Sequence, residues 1–169
     1  MNNQNLEAIL AEHLAEIRAV GGEEVYKVSK SIFKCPRMMA CLDINDIMTT
    51  INGCDAVEGA IIDCRGSELA ENIKHELSKL ADKPGYAPQN LLVFIEQHRG
   101  YSLIMSDIQA FHDAIAEFPS EINVIWGMGV NPDGAGEISL YFIIGYNIVL
   151  NKFRRQRNVQ RHRASQKSH

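Results

Sequence analysis

The sequence lacks the features that mark a membrane-spanning or secreted protein. No window approaches the ~20 apolar residues that a membrane helix needs. The first residues, MNNQNLEAILAEHLAEI, have no basic start and carry acids within their apolar stretch, so we expect no secretory signal. The 169 residues, 46% apolar and 22% charged, fit one globular domain with short appendages.

Cysteines are few and unpaired in spacing, which excludes a disulfide framework and a zinc ribbon. No CxxC pair occurs among the four cysteines, which are Cys35, Cys41, Cys54 and Cys64. We interpret them as free thiols of a reducing, cytoplasmic compartment. Their spacings to His75, His98 and His112 match no compact ligand pattern, so we expect no metal site. Cys64 falls in a predicted strand, and we expect it to be buried and inert.

A glycine-rich phosphate-binding loop is also missing. Glycines lie close together only at Gly21-Gly22, Gly127-x-Gly129 and Gly134-x-Gly136. None of these opens a helix directly after a strand, which a phosphate cradle requires. We therefore expect this chain to bind no nucleotide or other cofactor alone.

Hydrophobic periodicity predicts alternating helices and strands. Residues Asn5 to Val20 have the period of an amphipathic helix that Gly21-Gly22 end, and Asp43 to Thr50 begin a short helix. The segment Val25–Phe33 is compatible with a short strand or a second helix. Four apolar runs predict strands: Gly59–Cys64, Leu91–Ile95, Ile122–Val130 and Ile138–Tyr146. Helices capped by Ser67 and Ser102 are predicted after the first two strands, the second ending at Phe118 and Pro119.

These elements predict an α/β fold with a mixed four-stranded sheet. A helix between strands leaves room for a right-handed crossover, so the first three strands should be parallel. The segment 131–136, NPDGAG, favours a hairpin that returns the last strand antiparallel. We expect two layers, with a helical element at 1–42, an α/β domain at 43–150 and a disordered tail at 151–169.

Charge is distributed unevenly between the body and the tail. All 21 acidic residues precede Asn147 and share that stretch with ten Lys/Arg, so its net charge is −11. The tail has a charge of +7, from Lys152, Arg154, Arg155, Arg157, Arg161, Arg163 and Lys167. Such a tail suits nucleic acid, an anionic membrane or the acidic body of a neighbouring copy. The plain alternative is a solubilising terminus with no dedicated partner.

The order of elements from Asp43 to Tyr146 resembles the C-terminal half of FtsZ, the bacterial relative of tubulin. Val124-Ile125-Trp126-Gly127 stands where that family has IIFG, and Ile138 to Gly145 stands where it has its closing strand. NLLVFIEQ is similar to the family's LLVNIT strand, and SLIMSDI is similar to LTLxEV at the start of a helix. The helix at 5–20 is similar in position to the long helix that links the two halves of FtsZ.

One acidic motif within this resemblance bears on chemistry. FtsZ has an N-x-D-x-x-D loop whose aspartates reach the nucleotide of the next subunit, and here the loop reads CLDIND. Asp43 and Asp46 match the aspartates, and Cys41 replaces the asparagine. The resemblance implies that Asp43 and Asp46 act only in trans, with GTP held by a partner. The plain interpretation from position alone is that Asp43 or Asp46 caps the helix, because acids favour that end.

The resemblance implies an association function in cell division or a cytoskeleton, with FtsZ-like subunits or with copies of itself. The family's GGGTGS-type loop is absent, so the chain resembles the activation half of FtsZ without its GTPase half and is expected to be non-enzymatic alone. Two alternatives stay open. One is docking on nucleic acid or membrane through the tail, and the other is a small enzyme using Glu96-Gln97-His98-Arg99 at the carboxyl end of a strand. Polar residues also occur there simply because strands end at the surface.

Overall fold

The structure is a computed structural model that describes residues 3–116 and 121–149, with side chains from residue 11 onward. The helices are α1 (Asn3–Lys34), α2 (Ile44–Ile51), α3 (Leu69–Ala81) and α4 (Met105–Ala116). The strands are β1 (Arg37–Ala40), β2 (Ala56–Cys64), β3 (Tyr86–His98), β4 (Asn123–Asn131) and β5 (Ile138–Ile148). Within the described ranges, no helix has the length and apolarity needed to cross a bilayer. The predicted helix end at Phe118 and Pro119 and the basic tail lie outside them.

Within residues 3–116 and 121–149, the sheet has five strands in the order β1-β4-β3-β5-β2. β3 and β4 are parallel, whereas β5 is antiparallel to both β3 and β2. Strands β2, β3 and β4 therefore run in the same direction, as predicted. The predicted hairpin is wrong, because β3 lies between β4 and β5. β5 is buried continuously from Ile138 to Tyr146, and such a strand gains most from neighbours on both edges and helices on both faces.

Helices cover both faces of the sheet, so the fold has three layers where two were predicted. In β3, Leu91, Val93 and Ile95 join a core with α3 and α4. The alternate residues Leu92 and Phe94 join a second core with α1 and α2. A strand covered on both faces is apolar throughout, and this explains why its sequence lacks polar alternation.

The segment 23–42 folds as a second helical stretch followed by a short strand. α1 continues to Lys34 through a break at Gly22, whose φ of 79° is left-handed. Val25, Val28 and Ile32 are buried with helical spacing, so the helical interpretation of Val25–Phe33 is confirmed. β1 was not predicted, because four residues with an alternating burial pattern are too short for a periodicity signal.

Both predicted serine caps are wrong. Ser67 lies inside a 3₁₀ turn at Gly66–Glu68, and α3 begins after Glu68 without a side-chain cap. α4 begins at Met105 rather than next to Ser102. The carboxylate of Asp107 accepts the N–H of Ile104 at 2.9 Å and so satisfies an orphan donor there from inside the helix.

Candidate functional site

The start of α2 holds the two aspartates of the acidic loop in a reciprocal capping box. Asp43 Oδ1 accepts the N–H groups of Asn45 at 2.7 Å and Asp46 at 3.1 Å. Asp46 Oδ2 accepts the N–H of Asp43 at 2.8 Å. The capping interpretation therefore describes what both side chains do in this structure, since they satisfy donors that the helix leaves unpaired.

Capping uses only one oxygen of each carboxylate. Within the described ranges, no hydrogen bond reaches Asp43 Oδ2 or Asp46 Oδ1. Asp43 is exposed and Asp46 is half-buried, so both have contact with solvent. The free oxygens can accept a water, a donor or a cation while the cap stays intact. Cys41, which replaces the asparagine of the FtsZ motif, is also exposed.

The fold anchors this loop from below. Leu42 is 5% exposed and packs against Gly127 of β4, where an added Cβ would lie 2.6 Å from Leu42 Cγ. Behind the loop, Ile47 and Ile51 are fully buried in the core of α1 and α2. The two carboxylates thus stand on a short helix that is fixed to the sheet. The sequence feature behind this contact is Gly127 in VIWG, because the missing side chain lets Leu42 approach the backbone of β4.

The second candidate cluster, Glu96 to Arg99, lies at the carboxyl end of β3. Glu96 and His98 are 3% and 4% exposed, so they are not surface residues at a strand end. Glu96 Oε1 accepts hydrogen bonds from Asn131 Nδ2 at 3.0 Å and Tyr141 Oη at 3.4 Å, and it lies 3.1 Å from His98 Nε2. The contacts of the Glu96 carboxylate with these side chains connect β3, β4 and β5.

The His98 ring extends the network to the loop between β4 and β5. Its Nδ1 lies 2.7 Å from the carbonyl oxygen of Ala135, and its Nε2 lies 3.3 Å from Ser139 Oγ. Ser139 in turn donates to Asp63 Oδ1 at 2.5 Å. Each ring nitrogen therefore faces an oxygen within hydrogen-bond distance. Gly134 leaves room for the ring, since a Cβ there would lie 2.3 Å from His98 Cδ2.

This network has no activated nucleophile. Ser139 donates to Asp63 and not to the His98 ring, and it is only 4% exposed. A triad requires the serine proton to go to the histidine and the oxygen to be open to substrate. Gln97 accepts the N–H of Leu103 at 3.1 Å, which ties down the loop after β3. The geometry is that of a structural hydrogen-bond network at the carboxyl end of β3.

The thiols are poor nucleophiles where they are buried. Burial raises the pKa of Cys35 and of Cys64 to about 11, and it also raises the pKa of Cys54. A high pKa leaves little thiolate near neutral pH. Cys64 is buried, as predicted, and all four cysteines are free. In the described ranges, no three His, Cys, Asp or Glu side chains are placed to share a metal ion.

Comparisons with known proteins identify the fold. No family model matches the chain, and no curated protein matches its sequence. Among solved structures, it is similar to FtsZ of M. jannaschii in an empty dimer, with 14% identity over 75% of this chain and a TM-score of 0.52. It is also similar to a point mutant of that FtsZ, with 12% identity over 88% of this chain and a TM-score of 0.50.

A third similar structure is TubZ of Bacillus thuringiensis serovar israelensis in a GTPγS-form protofilament, with 9% identity over 86% of this chain and a TM-score of 0.50. The chain covers 38%, 42% and 43% of these three proteins, so it spans about two fifths of their length. At these identities the similarity defines the fold. The chain has an FtsZ/tubulin-like α/β fold.

Proposed function

We propose that this chain is an association module that contacts FtsZ-like subunits or other copies of itself through the surface around the start of α2. The observation that carries the proposal is the pair of aspartates, Asp43 and Asp46, each with one uncommitted carboxylate oxygen at an exposed helix start. The shared fold supports it, because the similar FtsZ is a dimer and the similar TubZ forms protofilaments.

In this proposal the nucleotide comes with the partner. The sequence has no glycine-rich phosphate loop. In this proposal the chain therefore places its carboxylates near the phosphate of a nucleotide that another subunit binds. Two carboxylates one helical turn apart can orient a water by accepting its hydrogens near the phosphate. The module is then non-enzymatic alone and modulates the GTPase filament of its partner, or caps that filament.

Sedimentation tests the association directly. The purified chain is spun with and without an FtsZ from its own host, in GTP and in GDP, and GTP turnover is followed in parallel. We expect the chain to pellet with the partner and to change its turnover. A chain that stays in the supernatant in both nucleotides and leaves turnover unchanged contradicts the proposal for this partner. Pelleting without the partner would favour self-assembly.

Paired variants separate the carboxylates' charge from their capping role. Asp43→Asn/Asp46→Asn keeps an acceptor oxygen at each position, whereas Asp43→Ala/Asp46→Ala removes both. Losing a cap costs about 1 kcal/mol, so only the alanine variant should melt earlier. Both should lose the effect on turnover if the charge is used. An asparagine variant with the full effect would show that only capping matters.

The charge of the tail favours a second candidate function, docking on nucleic acid or an anionic membrane. Its seven cations can neutralise several phosphates, and such binding weakens steeply with salt. Truncation at Asn151 should abolish binding to duplex DNA or to anionic vesicles while self-association through the domain persists. Binding to DNA or vesicles that survives truncation would show that residues before Asn151 carry this function.

A further inference from the structure

A groove follows the outer edge of β2, between α1 on one face of the sheet and α3 on the other. Its volume is about 360 Å³. The floor is Val57–Ala60 of β2, and the walls are the stretch around the α1 break and the C-terminal half of α3. The lining residues of the walls are Gly21, Gly22, Glu23, Glu24, Glu76, Lys79 and Leu80.

The strand edge at the floor of this groove is open. In the described ranges, β2 pairs only with β5, so its other edge has no strand partner. The opposite edge strand, β1, is protected by its four-residue length, by Pro36 and Arg37, and by an irregular register. β2 has nine residues and no Lys, Arg or Pro. Such an edge suits an extended segment that adds one more strand through main-chain hydrogen bonds.

The groove favours a basic segment. Its lining has four carboxylates, from Glu23, Glu24, Glu58 and Glu76, and one ammonium, from Lys79. The cations that pair with these carboxylates are Arg18, Lys27, Lys83 and Lys79. The side chains of Glu23 and Glu24 are 50% and 69% exposed. Exposed pairs contribute ~0–1 kcal/mol, so an arriving guanidinium can join or replace their present partners.

The end of β5, after which the basic tail follows, lies one strand away from this groove. β5 ends beside the beginning of β2, where the carboxylate of Asp55 accepts the N–H of Ile148 at 2.8 Å. Arg154 and Arg155 follow Val149 by five and six residues. An extended chain spans about 3.3–3.6 Å per residue, so these arginines can pass the end of β2 and reach its outer edge. Residues 150–169 contain no Pro and no Gly, so each can donate a main-chain N–H.

We propose that the tail, residues 150–169, docks in the groove of its own chain as an extended strand on the outer edge of β2, with its arginines against Glu23 and Glu24. The docked tail covers the open edge, and its cations are then not available to nucleic acid or anionic membranes. Salt and polyanions release it, which exposes β2 and frees the cations together. This inference does not depend on the proposed role of Asp43 and Asp46.

Hydrogen exchange of the β2 amides tests the proposal in the full chain. The comparison is a full-length variant in which the seven Lys/Arg of the tail are replaced by Gln. A tethered segment has an effective concentration on the order of 1 mM, and a dissociation constant about tenfold below that concentration keeps it docked about ten times as often as it is free. Outward-facing amides of Val57–Ala60 should therefore exchange about tenfold more slowly in the wild type. Equal exchange in both chains overturns the proposal.

A second pair of variants locates the docking site. Glu23→Lys/Glu24→Lys reverses the charge of the groove wall, and Glu12→Lys/Glu16→Lys makes the same change on exposed positions of α1 outside the groove. Only the first should lose the protection of β2. Loss in both, or in neither, overturns the site. The tail variant alters no residue of the described fold, so the test stands even if a groove variant melts early.

Protection that rises with protein concentration would assign the groove to a neighbouring copy's tail and overturn docking within one chain.

Discussion

Replacing Glu96 by alanine should destabilise the fold by about 2–6 kcal/mol, because it removes an acceptor from a buried hydrogen-bond network. The carboxylate is 3% exposed, accepts from Asn131 and Tyr141, and lies 3.1 Å from His98 Nε2. Alanine leaves the donors of Asn131 and Tyr141 without that acceptor, and each unsatisfied donor costs roughly 1–3 kcal/mol where it is shielded from water. The loss is a large part of the ~5–15 kcal/mol that stabilises a typical domain.

Two further variants separate the charge from the hydrogen bonds. Glu96→Gln keeps an acceptor oxygen and the side-chain volume, so it should cost less than Glu96→Ala. The double variant Glu96→Leu/His98→Leu removes both members of the pair and should cost less than the sum of the two single leucine changes, because neither side chain then leaves the other without its hydrogen-bond partner. Additive costs would mean that the two side chains do not interact in the folded protein.

Urea unfolding followed by circular dichroism measures these differences. The slope with denaturant should stay constant among the variants, so that the midpoints report stability alone. A cost below about 1 kcal/mol for Glu96→Ala would place it among ordinary surface changes and refute the reasoning. It would mean that water reaches the network and replaces the lost acceptor.

Three other perturbations have expected outcomes. Gly59→Val should lower the melting temperature more than Ile61→Val on the same strand, because a Cβ at Gly59 would lie 3.1–3.2 Å from atoms of α1 whereas Ile61 is 44% exposed. Alkylation of the folded chain at pH 8 should modify exposed Cys41 well before Cys35 and Cys64, and mass spectrometry that finds equal rates would contradict their burial. Stability should fall as pH rises from about 9 to about 11, because burial raises the pKa of Cys35 and Cys64 from 9.0 to about 11 and the unfolded chain loses these protons first.

Local signals in the sequence predicted the elements that depend on neighbouring residues. The apolar runs LLVFI and ISLYFIIGY indicated strands, and they became β3 and β5. Pro36 indicated that no helix continues through it, and α1 ends at Lys34. The aspartates of CLDIND indicated a cap, and Asp43 makes one. The serine caps failed because the chain passes from β2 to α3 through a 3₁₀ turn in one case, and Asp107 satisfied the helix start in the other.

The candidate sites depended more on contacts between distant residues. Glu96 and His98 were recognised as polar residues at a strand end, but their burial comes from Asn131, Ala135 and Ser139, which lie far along the chain. The groove beside β2 carries no sequence signal. It exists because Gly59 lets α1 approach one face while α3 covers the other.

By itself, the sequence determined that the chain forms alternating helices and strands, that it carries an acidic loop before a short helix, and that its charge is divided between an acidic body and a basic tail. Periodicity and capping act over a few residues, so they can be read without coordinates. Only the tertiary structure decided that β5 inserts between β2 and β3, which leaves β2 as an open edge and separates β4 from β5. Strand order depends on which apolar faces bury one another across the whole sheet, and no local pattern encodes that choice.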